Sequence, residues 1–416
     1  MAAGYFSAAM HHDEATFELS VRRLPAHRDF ILVAGLQQAL EYLANLRFTS
    51  DEIDYLRKLP QFSNAAPEFF DYLAAFRFTG NVFAVPEGTP MFAGEPILTI
   101  KAPLIEAQIP ETYLLSTLTF QTLIATKAAR VVSAAQGRDV YEFGTRRAHT
   151  PETGVLGARA SYIGGCAGTS NTLAGFRFGI PVVGTAAHSW VMSFDSETEA
   201  FRRLQQLLGT GTVQLIDTYD TLEGARRAIA LGRPLAGVRI DSGDSLALSR
   251  EVRSLLDQAN MQDVKIMLSG DLNEDRIARL LADGAPVDSF GVGTELATSA
   301  DAPSMGAIYK IVELKSNGVT RSTAKYSAEK ISLPGAKQVF RYPDRDLVGG
   351  SGECACGAEA LQKPVMVNGE IICRKTLEQS RERARQQLAR VNPALHTVEY
   401  SQDLLELARK VREETR

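Results

Sequence analysis

Short apolar runs alternate with longer stretches of helical periodicity through the middle of this chain. The runs that predict strands are 139–143, 182–184, 215–217, 237–240, 264–268 and 289–292. The clearest helical stretches between them are 221–230, 245–258 and 274–282. Strands that alternate with helices indicate parallel βαβ units with right-handed crossovers. The pattern therefore favours an α/β protein with an irregular or incomplete barrel over an open sheet.

The flanking segments follow a different pattern. Before the barrel, alternating or Gly/Pro-bounded runs predict strands at 15–21, 81–85 and 96–100, and helical spacing predicts helices at 35–46 and 111–136. After it come strand-like runs at 308–314 and 337–342 and a charged, helical end. We predict an N-terminal α/β sandwich domain, a barrel domain with the active site, and a C-terminal extension of solvated helices. Their limits are 1–125 (completed by about 326–376), 126–325 and 377–416.

Composition narrows the class of protein without naming a function. At 416 residues, two or three domains are expected, and 45% hydrophobic and 23% charged residues are ordinary for a globular protein. A net charge of -4 gives no general attraction to nucleic acid or membrane surfaces. No apolar run reaches the roughly 18 residues of a membrane span, and no signal peptide is evident. We expect a cytoplasmic protein without nucleic-acid or membrane partners.

The cysteines argue against a disulfide scaffold. There are four, Cys166, Cys354, Cys356 and Cys373, which is too few for such a scaffold and suits a reducing compartment. The last three lie close together, but the paired CxxC spacing of zinc sites is absent. We therefore do not expect zinc, and no role for these three thiols follows from the sequence.

The chemistry is expected where the predicted strands end, because parallel α/β folds gather reactive groups at the carboxyl ends of their strands. After the run 180–184 the chain presents His188, beside Trp190, the sole tryptophan. An imidazole there can act as base, acid or nucleophile near neutral pH. A histidine packed in the core is the alternative interpretation, but His188 is accompanied by further polar strand ends.

Two of those ends carry charge. Phe143 is followed by Gly, Thr and then Arg146 and Arg147, which offers a stacking face beside a planar cation. That pair suits a flat ring bearing a carboxylate or phosphate, although paired arginines also form surface salt bridges. The strand 237–240 contains Arg239 and is followed by two aspartates in the segment 241–244. Charges at the end of a buried strand must pair with each other or face a ligand.

Three more ends are rich in Gly and hydroxyl groups, at 164–175, 267–274 and 290–296. Backbone N–H groups in such loops can cradle phosphate, and late strand ends of a barrel are the usual place for a phosphate site. With nearby carboxylates for Mg²⁺, these loops point to a phosphorylated sugar as substrate.

A series of motifs across almost the whole chain resembles the nicotinate phosphoribosyltransferases, which are type II phosphoribosyltransferases. The motifs are ATFELSVRRLP, QTLIATKAARVV, EFGTRRAH, GTSNTLAG, GIPVVGTAAHSW, GVRIDSGD, LSGDLNE and FGVGTELATS. The resemblance implies that nicotinate attacks C1 of 5-phosphoribosyl pyrophosphate and gives nicotinate mononucleotide and pyrophosphate. It also implies an ATP-dependent, ligase-type enzyme of NAD biosynthesis and salvage, in which ATP hydrolysis is coupled through a phosphohistidine.

The resemblance assigns roles to residues at matching motif positions. His188 would accept the phosphoryl group from ATP, and Phe143 would stack on the pyridine ring with Arg146 close by. Thr185 and Arg239 would contact nicotinate, Arg239 through its carboxylate.

The resemblance also implies how the donor is held. Asp241 and Asp271 would serve the ribose hydroxyls and Mg²⁺ as catalytic residues, and Mg²⁺ would lie near Asp241 and Asp244. The remaining contacts to 5-phosphoribosyl pyrophosphate would come from Ser170, Gly270, Gly293 and Thr294. Mg²⁺ and ATP are the small-molecule requirements, no tightly bound organic cofactor is expected, and the family's shared active sites imply a homodimer.

One family segment is not seen. Members usually have a Leu-Thr-Asp-x-Tyr segment just before the run matched by residues 1–5, and its Tyr forms a second wall over the pyridine ring. Tyr5 matches a later family Tyr, not this one. Either the start is set too late or nicotinate binding is poor; we expect the former, because the barrel motifs are intact.

Several alternatives stay open. Nicotinamide and quinolinate phosphoribosyltransferases share the class; the Gly-Thr-Ser-Asn segment and Thr185 favour nicotinate, and an Asp in place of Ser170 would favour nicotinamide. A phosphosugar isomerase or aldolase barrel would need a Lys at a strand end, and the nearest, Lys310, lies past the last motif. An N-terminally truncated, non-catalytic paralogue is the third alternative.

Overall fold

The computed structural model describes residues 1–327 and 330–415, which divide into two compact units. The first unit comprises Met1–Leu123 and Ser304–Arg416, and the second comprises Ile124–Pro303. The second unit ends before the predicted limit at residue 325, because the strand Ala307–Ser316 pairs along Glu14–Val21 in the first unit. Residues 328, 329 and 416, which the predicted sandwich segment and tail include, lie outside the described residues.

Helices of very different length occur along the described ranges. In chain order they are α1 Ala2–Ser7, α2 Leu36–Asn45, α3 Ser50–Lys58, α4 Pro67–Ala74, α5 Leu104–Gln108, α6 Glu111–Ala134, α7 Pro151–Ile163, α8 Thr172–Phe178, α9 His188–Met192, α10 Glu197–Leu208, α11 Thr221–Leu231, α12 Ser245–Gln258, α13 Glu274–Ala282, α14 Thr294–Ala297, α15 Leu377–Arg390 and α16 Gln402–Glu414.

The strands follow in the same order. They are β1 Glu14–Val21, β2 Ile31–Leu32, β3 Asn81–Ala84, β4 Pro90–Met91, β5 Pro96–Pro103, β6 Asp139–Glu142, β7 Gly168–Thr169, β8 Val213–Leu215, β9 Gly237–Ile240, β10 Lys265–Leu268, β11 Ser289–Val292, β12 Ala307–Ser316, β13 Val319–Ser322, β14 Tyr326–Ser327, β15 Lys330–Ile331, β16 Lys337–Arg341, β17 Arg345–Gly350, β18 Glu359–Ala360, β19 Lys363–Val367, β20 Glu370–Ile371 and β21 Thr397–Tyr400.

The first unit is an α/β sandwich. Its larger sheet has the order β13-β12-β1-β5-β3-β19-β20, and β1 is antiparallel to both β12 and β5. A second sheet has the order β18-β16-β17-β21. Phe17 and Ile100 from the first sheet share one hydrophobic core with Val339 and Val348 from the second. This shared core confirms that the N-terminal part and the strands after the barrel build one layered structure.

The C-terminal extension is more integrated than the predicted pair of solvated helices. Strand β21 pairs in parallel with β17. No strand was predicted from the sequence at the position of β17. Leu404 and Val411 of α16 are buried, as is Ala384 of α15. Each helix has a narrow apolar face, which packs within the first unit. The many charged residues around this face explain why the sequence predicted solvated helices.

The second unit is a curled, incomplete barrel, as predicted. Its parallel sheet has the order β7-β6-β11-β10-β9-β8. The observed bounds of β9, β11, α12 and α13 are the predicted ones. The prediction of a strand at 182–184 was wrong, because Val182 forms only an isolated bridge to Thr169. The two-residue strand β7 takes the edge position of the sheet.

Polar caps mark where the loops at the strand ends give way to helices. The side chains of Asp220, Asp244 and Asn273 accept hydrogen bonds from backbone N–H groups in the first turns of α11, α12 and α13. Such caps contribute about 1 kcal/mol each and fix where a helix begins. They therefore also fix the length of the loops that carry the candidate chemistry.

Two properties of the surface bear on the sequence predictions. No helix within residues 1–327 and 330–415 is long and apolar enough to cross a membrane. None of the four cysteines forms a disulfide within the described ranges: Cys166 is buried, Cys354 and Cys356 are exposed, and Cys373 is half-buried.

Gly224 in α11 provides a test of the packing behind the candidate site. A Cβ added at this position would lie 2.0 Å from the carbonyl oxygen of Ile216, just after β8. Alanine favours a helix over glycine by about 1 kcal/mol, but a backbone clash of this kind costs about 1–3 kcal/mol. We expect Gly224→Ala to lower the thermal unfolding midpoint.

Gly4→Ala is the matched control, because Gly4 is also helical and an added Cβ would meet nothing within 4 Å. We expect this variant to leave the midpoint unchanged or raise it slightly. Equal midpoints for both variants would show that α11 does not press on the end of β8.

Candidate functional site

The candidate site centres on the guanidinium of Arg239, which projects from β9. Its Nε donates to the Ser269 hydroxyl at 2.8 Å, and Nη1 donates to the Thr185 hydroxyl at 2.8 Å. Nη2 donates to Oδ1 of Asp241 at 2.6 Å. The side chain is only 17% exposed. Arg239 therefore joins the ends of β9 and β10 to the loop before His188, which confirms that polar groups at these strand ends gather in one place.

Asp241 is held in its ionised form. Burial alone favours the neutral carboxyl, but the hydrogen bond from Ser269 and the charge of Arg239 together outweigh it and lower the pKa of Asp241 below its usual value. Its Oδ2 lies 3.8 Å from Nε2 of His188. The site thus places a stable negative charge beside an imidazole.

His188 begins α9 with its ring partly open to solvent. Its Nδ1 lies 3.1 Å from the Thr218 hydroxyl oxygen, and either group can donate, depending on the tautomer. When Nδ1–H donates to Thr218, Nε2 keeps its lone pair and faces the side of Asp241. The imidazole is therefore a positioned and accessible side chain rather than a packed core histidine.

Phe143 gives the cluster an aromatic face. The Arg239 guanidinium carbon lies 5.4 Å from the centre of the Phe143 ring. An added Cβ on Gly291 would lie 2.5 Å from this ring, so the glycine makes room for it. Below the ring, the buried Glu142 carboxylate accepts hydrogen bonds from the Thr169 hydroxyl and the backbone N–H of Gly144.

Burial raises the pKa of Glu142, and these two hydrogen bonds oppose that shift. Because both oxygens are engaged inside the protein, Glu142 ties the turn after β6 to β7. Its role is to fix the position of Phe143 at the strand end.

The loop after β10 requires glycine. Gly270 has a φ of +84°, and an added Cβ would lie 1.9 Å from the carbonyl oxygen of Asp241. Only glycine allows so close an approach between neighbouring strand-end loops. At the end of β11, Gly293 caps α14 and brings its carbonyl oxygen within 2.6 Å of a Cβ added at Gly144. The glycines of these loops thus set the spacing of the strand ends.

Other predicted site residues also lie at strand ends. They take no part in the hydrogen bonds described above around Arg239. Asp244 uses its carboxylate to cap α12. Asp271 has a positive φ of 46°. The exposed members of the predicted set are Arg146, Ser170, Asp244, Asp271 and Thr294.

The predicted magnesium ligands are partly engaged within the protein, because hydrogen bonds to Asp241 and Asp244 use Oδ1 of each carboxylate. Asp241 is engaged by Arg239 and Ser269, and Asp244 by the cap. In the described ranges, no group of three or more His, Cys, Asp or Glu side chains is arranged to hold a metal ion. Magnesium commonly binds through one or two carboxylates plus the phosphates of a substrate. The donor set suits an ion held mainly by a substrate.

Sequence reasoning missed three side chains that order the site. Asp217 accepts hydrogen bonds from the Ser242 hydroxyl at 2.6 Å and the Asp241 N–H at 3.1 Å, and so fixes the turn after β9. Thr218 orients His188, and Ser269 bridges Arg239 and Asp241. The signal available was position: Asp217 is the last residue of the predicted strand 215–217, Thr218 follows it, and Ser269 follows the predicted strand 264–268.

The arrangement can bind a planar, anionic ring. A buried guanidinium supplies directed N–H donors, an aromatic ring lies beside it, and Gly-rich loops open at the same sheet edge. Carboxylates and phosphates are the groups that such donors recognise.

Comparisons with known proteins agree with this chemistry. Residues 1–119 match the family profile of the nicotinate phosphoribosyltransferase N-terminal domain, and residues 124–303 match that of the quinolinate phosphoribosyl transferase C-terminal domain. A nicotinate phosphoribosyltransferase of Mycobacterium tuberculosis is 44% identical over 412 residues, covering 96% of this chain and 87% of the relative. One from Bacillus subtilis is 42% identical over 350 residues, covering 82% and 71%.

A solved structure extends the likeness to the fold. The crystal structure of human nicotinic acid phosphoribosyltransferase superposes with a TM-score of 0.85 at 27% identity, covering 99% of this chain and 98% of the human one. Shared sequence over nearly the full length and a shared fold lead to one assignment. The chain belongs to the nicotinate phosphoribosyltransferase family.

Proposed function

We propose that this protein joins nicotinate to 5-phosphoribosyl pyrophosphate and releases nicotinate mononucleotide and pyrophosphate. The pyridine nitrogen forms a bond to C1 of the ribose while the bond from C1 to the pyrophosphate oxygen breaks. The observation that carries the proposal is the Arg239 guanidinium, held beside Phe143 by the hydroxyls of Thr185 and Ser269. These groups match a flat ring that bears one carboxylate.

The bonds of Arg239 leave donors for a ligand. Hydrogen bonds to Ser269, Thr185 and Asp241 use one N–H on each of its three nitrogens. A guanidinium has five N–H groups, so Nη1 and Nη2 each retain one for the carboxylate of nicotinate. Phe143 then faces the pyridine ring and limits how it can rotate.

The donor's phosphates would occupy the Gly-rich strand ends. We place the 5′-phosphate against Gly270, Gly293 and Thr294, where backbone N–H groups can point at an anion. Magnesium would enter with the pyrophosphate and neutralise its charge as the leaving group departs, with Asp241 or Asp271 near the ribose. Catalysis then rests on positioning and on charge neutralisation at the leaving group.

His188 is proposed to take a phosphoryl group from ATP. Its Nε2 forms the new bond to phosphorus, the bond between the β- and γ-phosphates breaks, and ADP leaves; water later hydrolyses the phosphohistidine. Thr218 supports this role in the tautomer whose Nδ1–H donates to its hydroxyl, because the lone pair of Nε2 is then the nucleophile. In this proposal the enzyme is ATP-dependent.

We also propose a homodimer that acts in the cytoplasm. Leu173 and Phe176 lie one turn apart on α8 and are 45% and 87% exposed, and Val182, which is 50% exposed, packs close to Gly175 of the same helix. Exposed apolar groups of this kind mark interaction surfaces. Cysteines that form no disulfide in the described ranges suit a reducing compartment.

Arg239→Lys tests nicotinate recognition. A lysine cannot reproduce the fork that engages Ser269, Thr185 and a carboxylate at once. We expect the KM for nicotinate to rise about 10- to 100-fold, in line with loss of about 1.5–3 kcal/mol for a charge-assisted hydrogen bond. The KM for 5-phosphoribosyl pyrophosphate should change much less. Steady-state kinetics, with nicotinamide and quinolinate as comparison substrates, measure both.

Arg233→Lys is the matched control, because Arg233 also binds a carboxylate with two nitrogens, that of Asp263, but on the exposed surface. It should leave both KM values unchanged. If Arg239→Lys raises the two KM values equally, Arg239 holds the site together without selecting nicotinate. Preference of the unmodified protein for quinolinate would overturn the proposed substrate.

Labelled ATP tests the phosphohistidine. The protein incubated with γ-labelled ATP should acquire acid-labile, base-stable label, and His188→Ala should acquire none, because no other nucleophile takes the place of the imidazole. His27→Asn is the control: His27 is exposed with a φ of 60°, which asparagine tolerates. Label of equal amount in the His188→Ala variant would exclude His188 as the acceptor.

A further inference from the structure

A buried lysine contacts the starts of the two helices that follow the Gly-rich ends of β10 and β11. Lys127, on the part of α6 that belongs to the second unit, is 1% exposed. Its Nζ lies 2.6 Å from Oε2 of Glu274, 2.9 Å from Oδ1 of Asp301 and 3.5 Å from Oε2 of Glu295. One buried ammonium thus contacts three carboxylates from three different segments.

A second cation reinforces two of these contacts. Arg130, one helical turn further along α6, lies 3.1 Å from Oε1 of Glu274 and 2.7 Å from Oδ2 of Asp301. Within this group of side chains, Glu295 forms its ion pair with Lys127 and not with Arg130. The side chain of Glu295 is therefore joined to the network through the Lys127 ammonium, while its backbone carbonyl accepts a hydrogen bond from Ala300, the residue before Asp301.

The positions of the carboxylates give the network its significance. Glu274 is the first residue of α13, directly after the loop that contains Gly270. Glu295 is the second residue of α14, directly after Gly293 and Thr294. Lys127 therefore links the helix starts that follow the two proposed phosphate loops.

The charges of this network restrict the distance between the starts of α13 and α14. Three carboxylates drawn together would repel one another, and without the cation their burial would be strongly unfavourable. With Lys127 present, the helix starts are held at the separation that its contacts allow. The backbone N–H groups of the two loops are then pre-organised at a fixed spacing, which anion binding requires.

We propose that Lys127 is a positioning residue for the donor's phosphate: through Glu274 and Glu295 it sets the spacing of the loops at Gly270 and Gly293. This inference rests on the proposed function, in which those loops hold 5-phosphoribosyl pyrophosphate. It concerns a residue that does not touch the substrate. Its effect should therefore fall on donor binding and spare nicotinate binding.

Isothermal titration calorimetry with magnesium 5-phosphoribosyl pyrophosphate tests the proposal. Lys127→Met should weaken donor binding about 10- to 100-fold, since small misplacements of a binding group cost this much. Nicotinate binding, measured in a separate titration, should change less than about threefold, because the contacts of Arg239 stay in place. Lys337→Met is the matched control: Lys337 is also buried, with Nζ 2.7 Å from Oε2 of Glu18, but in the first unit. It should lower thermal stability and leave donor affinity unchanged.

Glu295→Gln separates positioning from simple electrostatics and does not depend on the folding of the lysine variant, because the Glu295 side chain is 33% exposed. Removing a negative charge near an anion site would by itself strengthen donor binding. Loss of the link to Lys127 predicts the opposite, a weakening of about threefold or more.

Equal or tighter donor binding by Glu295→Gln would overturn the positioning role and leave the proposed function standing. Absence of donor binding by the unmodified protein would overturn both. Weakening of donor and nicotinate binding to the same degree in Lys127→Met would show a general structural role and also overturn the inference.

Discussion

The structure depends on how one guanidinium is satisfied at the edge of a parallel sheet. Arg239 leaves a strand that is buried on both sides, and its charge would be costly there without partners. Three groups from three segments, Thr185, Asp241 and Ser269, receive its hydrogen bonds. The loops that carry them are therefore drawn to one point, and Nη1 and Nη2 of the guanidinium each retain one N–H beyond these three bonds.

Other features of the second unit maintain that geometry. Glycine at 270 lets the loop after β10 approach the carbonyl of Asp241, and Gly224 lets α11 pack against the end of β8. Asp217 then fixes the turn after β9 through the Asp241 amide and the Ser242 hydroxyl. Because the contacts at Gly270 and Asp217 join the ends of neighbouring strands, the site requires the packed barrel and cannot form from any single segment.

The sequence predicted the parts of this arrangement that are local. Short apolar runs located β9 and β11, and helical periodicity located α12 and α13, because burial patterns repeat over a few residues. The prediction was wrong at 182–184, where an apolar run lies on the sheet edge and makes only one bridge. It also left the C-terminal helices in solvent, since few apolar residues mark the face that packs.

The site predictions divide in the same way: individual residues at strand ends were predicted, and their contacts with distant segments were not. His188, Arg239 and Asp241 were predicted because strand ends and a family resemblance select them. Other residues act through contacts between segments that are distant in sequence: Thr218 orients His188, and the buried Lys127 pairs with Glu274. The sequence shows that Thr218 follows a predicted strand, but it does not show which distant side chains these residues contact. Only the three-dimensional structure revealed those contacts.

A crystal structure of the protein with nicotinate mononucleotide would test the account most directly. We predict that the carboxylate of the nucleotide accepts hydrogen bonds from Nη1 and Nη2 of Arg239, and that the pyridine ring faces Phe143. Its phosphate should lie against the loops at Gly270 and Gly293. A nucleotide bound elsewhere, or one with its carboxylate away from Arg239, would contradict the account.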